Sequence, residues 1–122
     1  MCKYVWLGVF VALLAVTRAH GAQPVYDERT MLANWAMARC VARAYDDAGV
    51  RKDAEAAAAA YMEFGHSDME AYAAIDRLVA AQLEKDYASA SGEKLSLMKC
   101  IDLMHSTALR ELIEAYVRVR VG

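Results

Sequence analysis

Two cysteines constrain this chain more than any other feature: Cys40, inside the stretch from Trp35 to Cys40, and Cys100, inside the stretch from Met98 to Leu103. Each stands in an apolar run with helical spacing, so in an oxidising compartment the two thiols would tie two helices together by one bridge. Whether they have a competitor depends on Cys2. Lys3 precedes an apolar run from Val5 to Val16, and the small residues Ala19, Gly21 and Ala22 follow it. A basic start, a short apolar middle and a small-residue end are the parts of a cleavable secretory signal peptide. The run is shorter than the roughly 20 residues that a membrane-spanning helix needs. Ala19 and Gly21 stand two apart, as a signal peptidase prefers, so residues 1–21 are expected to be cut away and 22–122 to form a single domain. Cys2 lies ahead of the apolar run and not at the cut, so it is no lipid anchor, and the mature chain is expected in the exported compartment free of the membrane.

Removing that segment leaves Cys40 and Cys100 as the one possible pair. It also takes Lys3 and Arg18, so the charge goes from 14 − 16 = −2 to 12 − 16 = −4. A mildly acidic domain with no basic block is a poor nucleic-acid binder, and any partner it has is expected to be basic. About 100 residues can build one modest core, and a staple helps a domain of that size. Closing a loop of about 60 residues is worth roughly 4 kcal/mol in the loop-entropy model, a large share of the 5–15 kcal/mol by which such domains are stable.

The periodicity predicts an all-α fold, a compact bundle of about five helices. A single proline, Pro24, and few glycines leave long helices uninterrupted. From about Asp27, Met31, Trp35, Ala38, Val41, Ala42 and Tyr45 recur every three or four positions, and Gly49 is expected to close this first helix. A second runs from about Arg51 to Phe64 through five consecutive alanines, which suit a close helix–helix contact, and Gly65 ends it. Ser67 and Glu70 have the spacing of a capping box for a third helix reaching about Lys85, with Met69, Tyr72, Ile75, Val79 and Leu83 on one face. Residues 86–94 hold turn formers and no apolar stripe, and read as the one substantial loop. A fourth helix, about Leu95 to Met104, carries Leu97, Cys100, Ile101 and Met104. A fifth, capped by Ser106 or Thr107, carries Leu109, Leu112, Ile113, Tyr116 and Val117, and the tail from Val117 to Val121 alternates as a short strand would. Met31, Met69, Met98 and Ile101 are expected in the core, and Trp35 and Tyr45 are open to contact with a second copy.

Catalytic and metal chemistry find little support in the sequence. No Cys-x-x-Cys pair is present and neither Cys40 nor Cys100 has a histidine neighbour, which argues against a redox thiol. No Gly-x-Ser-x-Gly elbow or phosphate-cradling glycine loop occurs. Glu63 with His66, and Asp102 with His105, have the carboxylate-x-x-His spacing of di-iron bundles, but such a site needs further inward carboxylates on other helices, and none stands out. Histidines at helix ends, where a positive charge suits the dipole, account for both. The chain is therefore expected to be no enzyme and to need no cofactor or metal; the alternative is a small periplasmic metal-binding or stress-type helical bundle. The loop itself is polar, contains Gly92, and would sit on a stapled frame. Loops so placed enter other proteins' clefts, although most are connectors.

The segments Asn34 to Tyr45, Ala57 to Gly65 and Met98 to Leu103 resemble, in order and spacing, the fourth family of type VI secretion amidase immunity proteins. The resemblance implies a periplasmic all-helical homodimer that protects a bacterium from a papain-like cysteine amidase delivered by its siblings. That amidase cuts the peptidoglycan stem between D-glutamate and diaminopimelate. The resemblance also implies inhibition by occupying the amidase groove with the third helix of one subunit, Ser67 to Lys85 here, and the following loop of the other. No loop motif carries individual roles across; by position, Tyr87, Ser89, Ser91, Gly92, Glu93 and Lys94 are the expected contact group.

Overall fold

A computed structural model describes residues 24–121, with side chains described through Val119; the expected signal peptide lies outside the described residues. Five helices follow in order: α1 (Glu28–Ala44), α2 (Ala48–Phe64), α3 (Met69–Leu83), α4 (Ser96–His105) and α5 (Thr107–Val121), with no strand among the described residues. The tail expected to alternate as a strand belongs to α5, because Val117 packs inward on the helical stripe that already holds Leu109 and Ile113.

The caps explain the boundaries. Asp27 accepts from the Thr30 N–H at 2.8 Å and opens α1, and Asp47 accepts from Val50 at 2.9 Å and opens α2. Each side-chain oxygen satisfies an N–H that the helix start leaves unpaired. Gly49 therefore sits in the first turn of α2 and does not close α1, which stops at Ala44 with an extended Tyr45 as its cap. Gly65 ends α2 as expected. The capping box does not form: Asp68 precedes α3 without a side-chain cap, the Ser67 hydroxyl donates to Glu28 at 2.7 Å, and Glu70 pairs instead with Arg77. Ser106 serves two helices, donating to the Leu103 carbonyl at the end of α4 and accepting from Leu109 N–H at the start of α5.

Helix α1 is the hub and touches all four others, most extensively α2. Ala54 and Ala58, one turn apart, are buried there, and their small side chains permit the close approach that the alanine run implied. Leu32, Ile75, Val79, Leu103 and Leu109 are fully enclosed, each worth about 1.5–3 kcal/mol on burial. Trp35 is buried edge-on against Tyr72, with ring centroids 5.0 Å apart, so it belongs to the core and is closed to a second copy.

Cys40 and Cys100 form the disulfide, their Cα atoms 5.7 Å apart and both residues completely buried. The bridge pins α4 to α1 and decides which side of α4 faces inward. Lys99, Cys100 and Leu103 share the buried side. Met98 and Ile101 turn to the opposite side and are 51% and 43% exposed, and Met69 at the start of α3 is 68% exposed. Those three expected core positions are thus at the surface, and Met31 is half-buried.

Candidate binding site

Between α3 and α4 the chain crosses from Glu84 to Leu95 in a loop whose two parts differ. Its root is tied to both flanking helices. Gln82, on the last turn of α3, donates from its amide to the Tyr87 hydroxyl at 3.1 Å and to the Lys99 carbonyl at 3.0 Å. The Tyr87 hydroxyl in turn donates to Asp102 at 2.7 Å. The Lys99 ammonium caps the end of α3 by donating to the Leu83 carbonyl at 3.1 Å, and stands 5.5 Å from the centre of the Tyr87 ring. The hydrogen bond to Asp102 holds the Tyr87 proton in place and raises its pKa above the ordinary phenol value.

The tip makes its hydrogen bonds within itself. Ser89 and Ser91 hydroxyls pair at 2.8 Å, the Gly92 N–H donates to the Ser89 carbonyl, and the Ser91 N–H donates to the Ser89 hydroxyl. Gly92 takes a left-handed φ of 77°, which the turn requires and glycine adopts without strain. Leu95 takes a left-handed φ of 52° just before α4, an uncommon conformation for a residue with a side chain. Ser91, Gly92, Glu93 and Lys94 are exposed and Ser89 is half-buried. Of the expected contact group, five residues thus form the tip, while Tyr87 faces the frame. Reading the sequence overlooked Gln82 and Lys99; a polar residue within an apolar helical stripe was the available signal.

On α3, the outward stripe is Glu70, Ala73, Arg77 and Ala81, leading to Glu84 at the loop's start. It is small and polar, suited to lying against another protein surface. Beside it, between α2 and α3, runs an open groove of about 400 Å³ with Glu55, Met62, Met69 and Asp76 on its walls. A second hollow, about 570 Å³, is apolar and lined by Val25, Tyr26, Met31, Tyr61 and Phe64. Glu63 stands in the last turn of α2 with His66 beyond Gly65, and Asp102 is engaged by Tyr87. Among the described residues no three His, Cys, Asp or Glu side chains gather as metal ligands would.

A disulfide-stapled helical frame that presents one polar loop and the adjoining helix face defines a binding domain. The profile of the family described as "Type VI secretion system (T6SS), amidase immunity protein" matches residues 30–113. The effector–immunity system Tae4/Tai4 from Salmonella typhimurium contains a chain 35% identical to this one, with a TM-score of 0.70, covering 75% of this chain and 95% of that one. Two further structures share the fold at 23% identity and a TM-score of 0.66, each covering 75% of this chain: Salmonella typhimurium Tae4 in complex with Tai4 from Enterobacter cloacae, covering 98% of the matched chain, and the Enterobacter cloacae Tae4–Tai4 complex, covering 97%. No curated protein sequence matches. The chain belongs to the family of type VI secretion system amidase immunity proteins. It acts as an immunity protein, which binds an effector enzyme and is not itself an enzyme.

Proposed function

We propose that this chain, exported to the periplasm after removal of residues 1–21, inhibits a Tae4-like amidase by covering its active-site groove. The tip from Ser89 to Lys94 enters the groove, and the outward stripe of α3 lies along its rim. The bond protected is the one between D-glutamate and diaminopimelate in the peptidoglycan stem. A homodimer supplies α3 from one copy and the loop from the other.

The observation that carries this reading is the contrast within the loop: a self-contained, exposed tip on a root tied to both helices. An inhibitor gains affinity when the segment it inserts is ordered beforehand, because ordering on binding costs free energy. The sequence is expected to act by occupancy and not by chemistry of its own.

Replacing residues 88–94 by a Gly/Ser linker tests it. Titrating the amidase with the purified mature chain should show inhibition at one subunit per enzyme, and the replacement should abolish it. Undiminished inhibition by the replaced chain would remove the loop from the mechanism. Light scattering of the free chain and of the complex checks the dimer.

A further inference from the structure

Among the described residues, two polar side chains are buried, Gln82 at 4% exposure and Lys99 at 9%, and both stand at the root of the same loop. Burying a polar group is costly unless its hydrogen bonds are made, and an apolar pair would hold α3 against α4 equally well. Here the bonds are made. Gln82 uses both amide hydrogens, on the Tyr87 hydroxyl and the Lys99 carbonyl. The Tyr87 hydroxyl accepts one bond and gives one, to Asp102. Lys99 caps the Leu83 carbonyl. The four side chains therefore join the end of α3, the fourth residue of the loop and the first two turns of α4.

Hydrogen bonds are directional where apolar contact is not, so such a set specifies orientation more than it adds stability. Lys99 precedes the bridged Cys100, so the orientation is referred through the disulfide to α1. The tip beyond Tyr87 has hydrogen bonds only with itself among the described residues, so its direction is decided at the root.

We propose that Gln82, Tyr87, Lys99 and Asp102 form a latch that aims the loop, and that Tyr87 is thereby a positioning residue for capture of the amidase. The proposal rests on the loop reading given under the proposed function. Tyr87 acts through the backbone of the tip and touches no amidase atom itself.

The test uses the full mature, oxidised chain and the amidase effector of the producing bacterium. Tyr87→Phe removes the hydroxyl but keeps the ring by Lys99; Asp102→Ala removes the acceptor and Asp102→Asn retains one. Tyr87→Phe and Asp102→Ala should each raise Kd for the amidase about tenfold and speed amide hydrogen exchange in residues 88–94, while Asp102→Asn stays within about twofold. The double variant Tyr87→Phe with Asp102→Ala should lose little more than either alone. Unchanged Kd and exchange in Tyr87→Phe would overturn the latch. So would a loss in Asp102→Asn equal to that in Asp102→Ala, accompanied by a matching fall in Tm, because that pattern marks a merely structural role. If instead the Gly/Ser replacement of 88–94 leaves inhibition intact, the loop reading itself fails, and exchange in Tyr87→Phe still reports whether the latch orders the tip.

Discussion

Glu28, in the first turn of α1, accepts a hydrogen bond from the Ser67 hydroxyl at 2.7 Å across 39 positions of sequence. The same carboxylate accepts from the His66 backbone N–H at 2.8 Å, so one side chain fastens the link between α2 and α3 to the start of α1. Its charge also suits the positive end of the α1 dipole. Glu28→Ala should lower stability by about 0.5–1.5 kcal/mol, since it removes hydrogen bonds to a half-buried hydroxyl and to an exposed N–H at once. Urea unfolding measures this, and Glu28→Gln should recover part of the loss.

The disulfide is the largest single contribution open to test. Replacing Cys40 and Cys100 together by alanine opens a loop spanning 60 positions and should cost about 2–4 kcal/mol. The unfolding free energy of the native chain in urea should drop by a comparable amount on reduction, and that of the double variant should not respond to reductant.

Asp76 makes stability depend on acid. Burial alone would raise its carboxyl pKa, but hydrogen bonds from Arg43 and Arg39 outweigh that and hold it below the ordinary aspartate value. A folded value below the unfolded one means the stabilising contribution is complete above the unfolded pKa and is lost as pH falls through the folded one. The excess stability of the native chain over Asp76→Asn, about 0.5–1 kcal/mol once solvent screening of these partly exposed groups is counted, should hold at neutral pH. It should shrink below about pH 4, a trend that urea unfolding at stepped pH follows.

Two glycines should fail for opposite reasons. A Cβ on Gly65 would come within 2.8 Å of the Tyr72 hydroxyl and 2.9 Å of the Tyr61 carbonyl, so Gly65→Ala should cost about 1–3 kcal/mol through crowding. A Cβ on Gly92 meets nothing within 4 Å, and its penalty, about 1 kcal/mol, arises from the positive φ alone. Gly92→Asn, which tolerates that conformation better, should be nearly neutral in Tm, whereas Gly65→Asn should be worse than Gly65→Ala.

The match between periodicity and helix was close wherever a helix has one apolar side. Tyr72, Ile75 and Val79 recur at three and four and are all buried on α3, and Gly65 ends α2 where glycine ended the pattern. It failed at α4, where Leu97, Cys100, Ile101 and Met104 do recur at helical spacing but the buried side is turned to Lys99, Cys100 and Leu103, leaving Leu97 and Ile101 exposed. It failed also at Gly49 and at Ser67, because a cap belongs to whichever partner is nearer in space: Asp47 opens the helix around Gly49, and Glu28 captures the Ser67 hydroxyl. Of the candidate site, the position of the loop was legible and its root was not, since Gln82 and Lys99 are polar residues whose partners lie 5 to 17 positions away.

What the sequence determined unaided was local: five helices from spacing, a bridged pair from the cysteines, and the place of the loop from the lapse of pattern. Those follow from interactions within a few residues, or from two thiols each set in an apolar helical run. Which side of α4 turns inward, which surface methionines stay in water, and how Tyr87 is turned away from the tip were decided only in the tertiary structure. Each depends on geometry between helices, where the Cys40–Cys100 bridge and the paired amide of Gln82 orient α4, and among the described residues no buried side-chain polar atom is left without a partner.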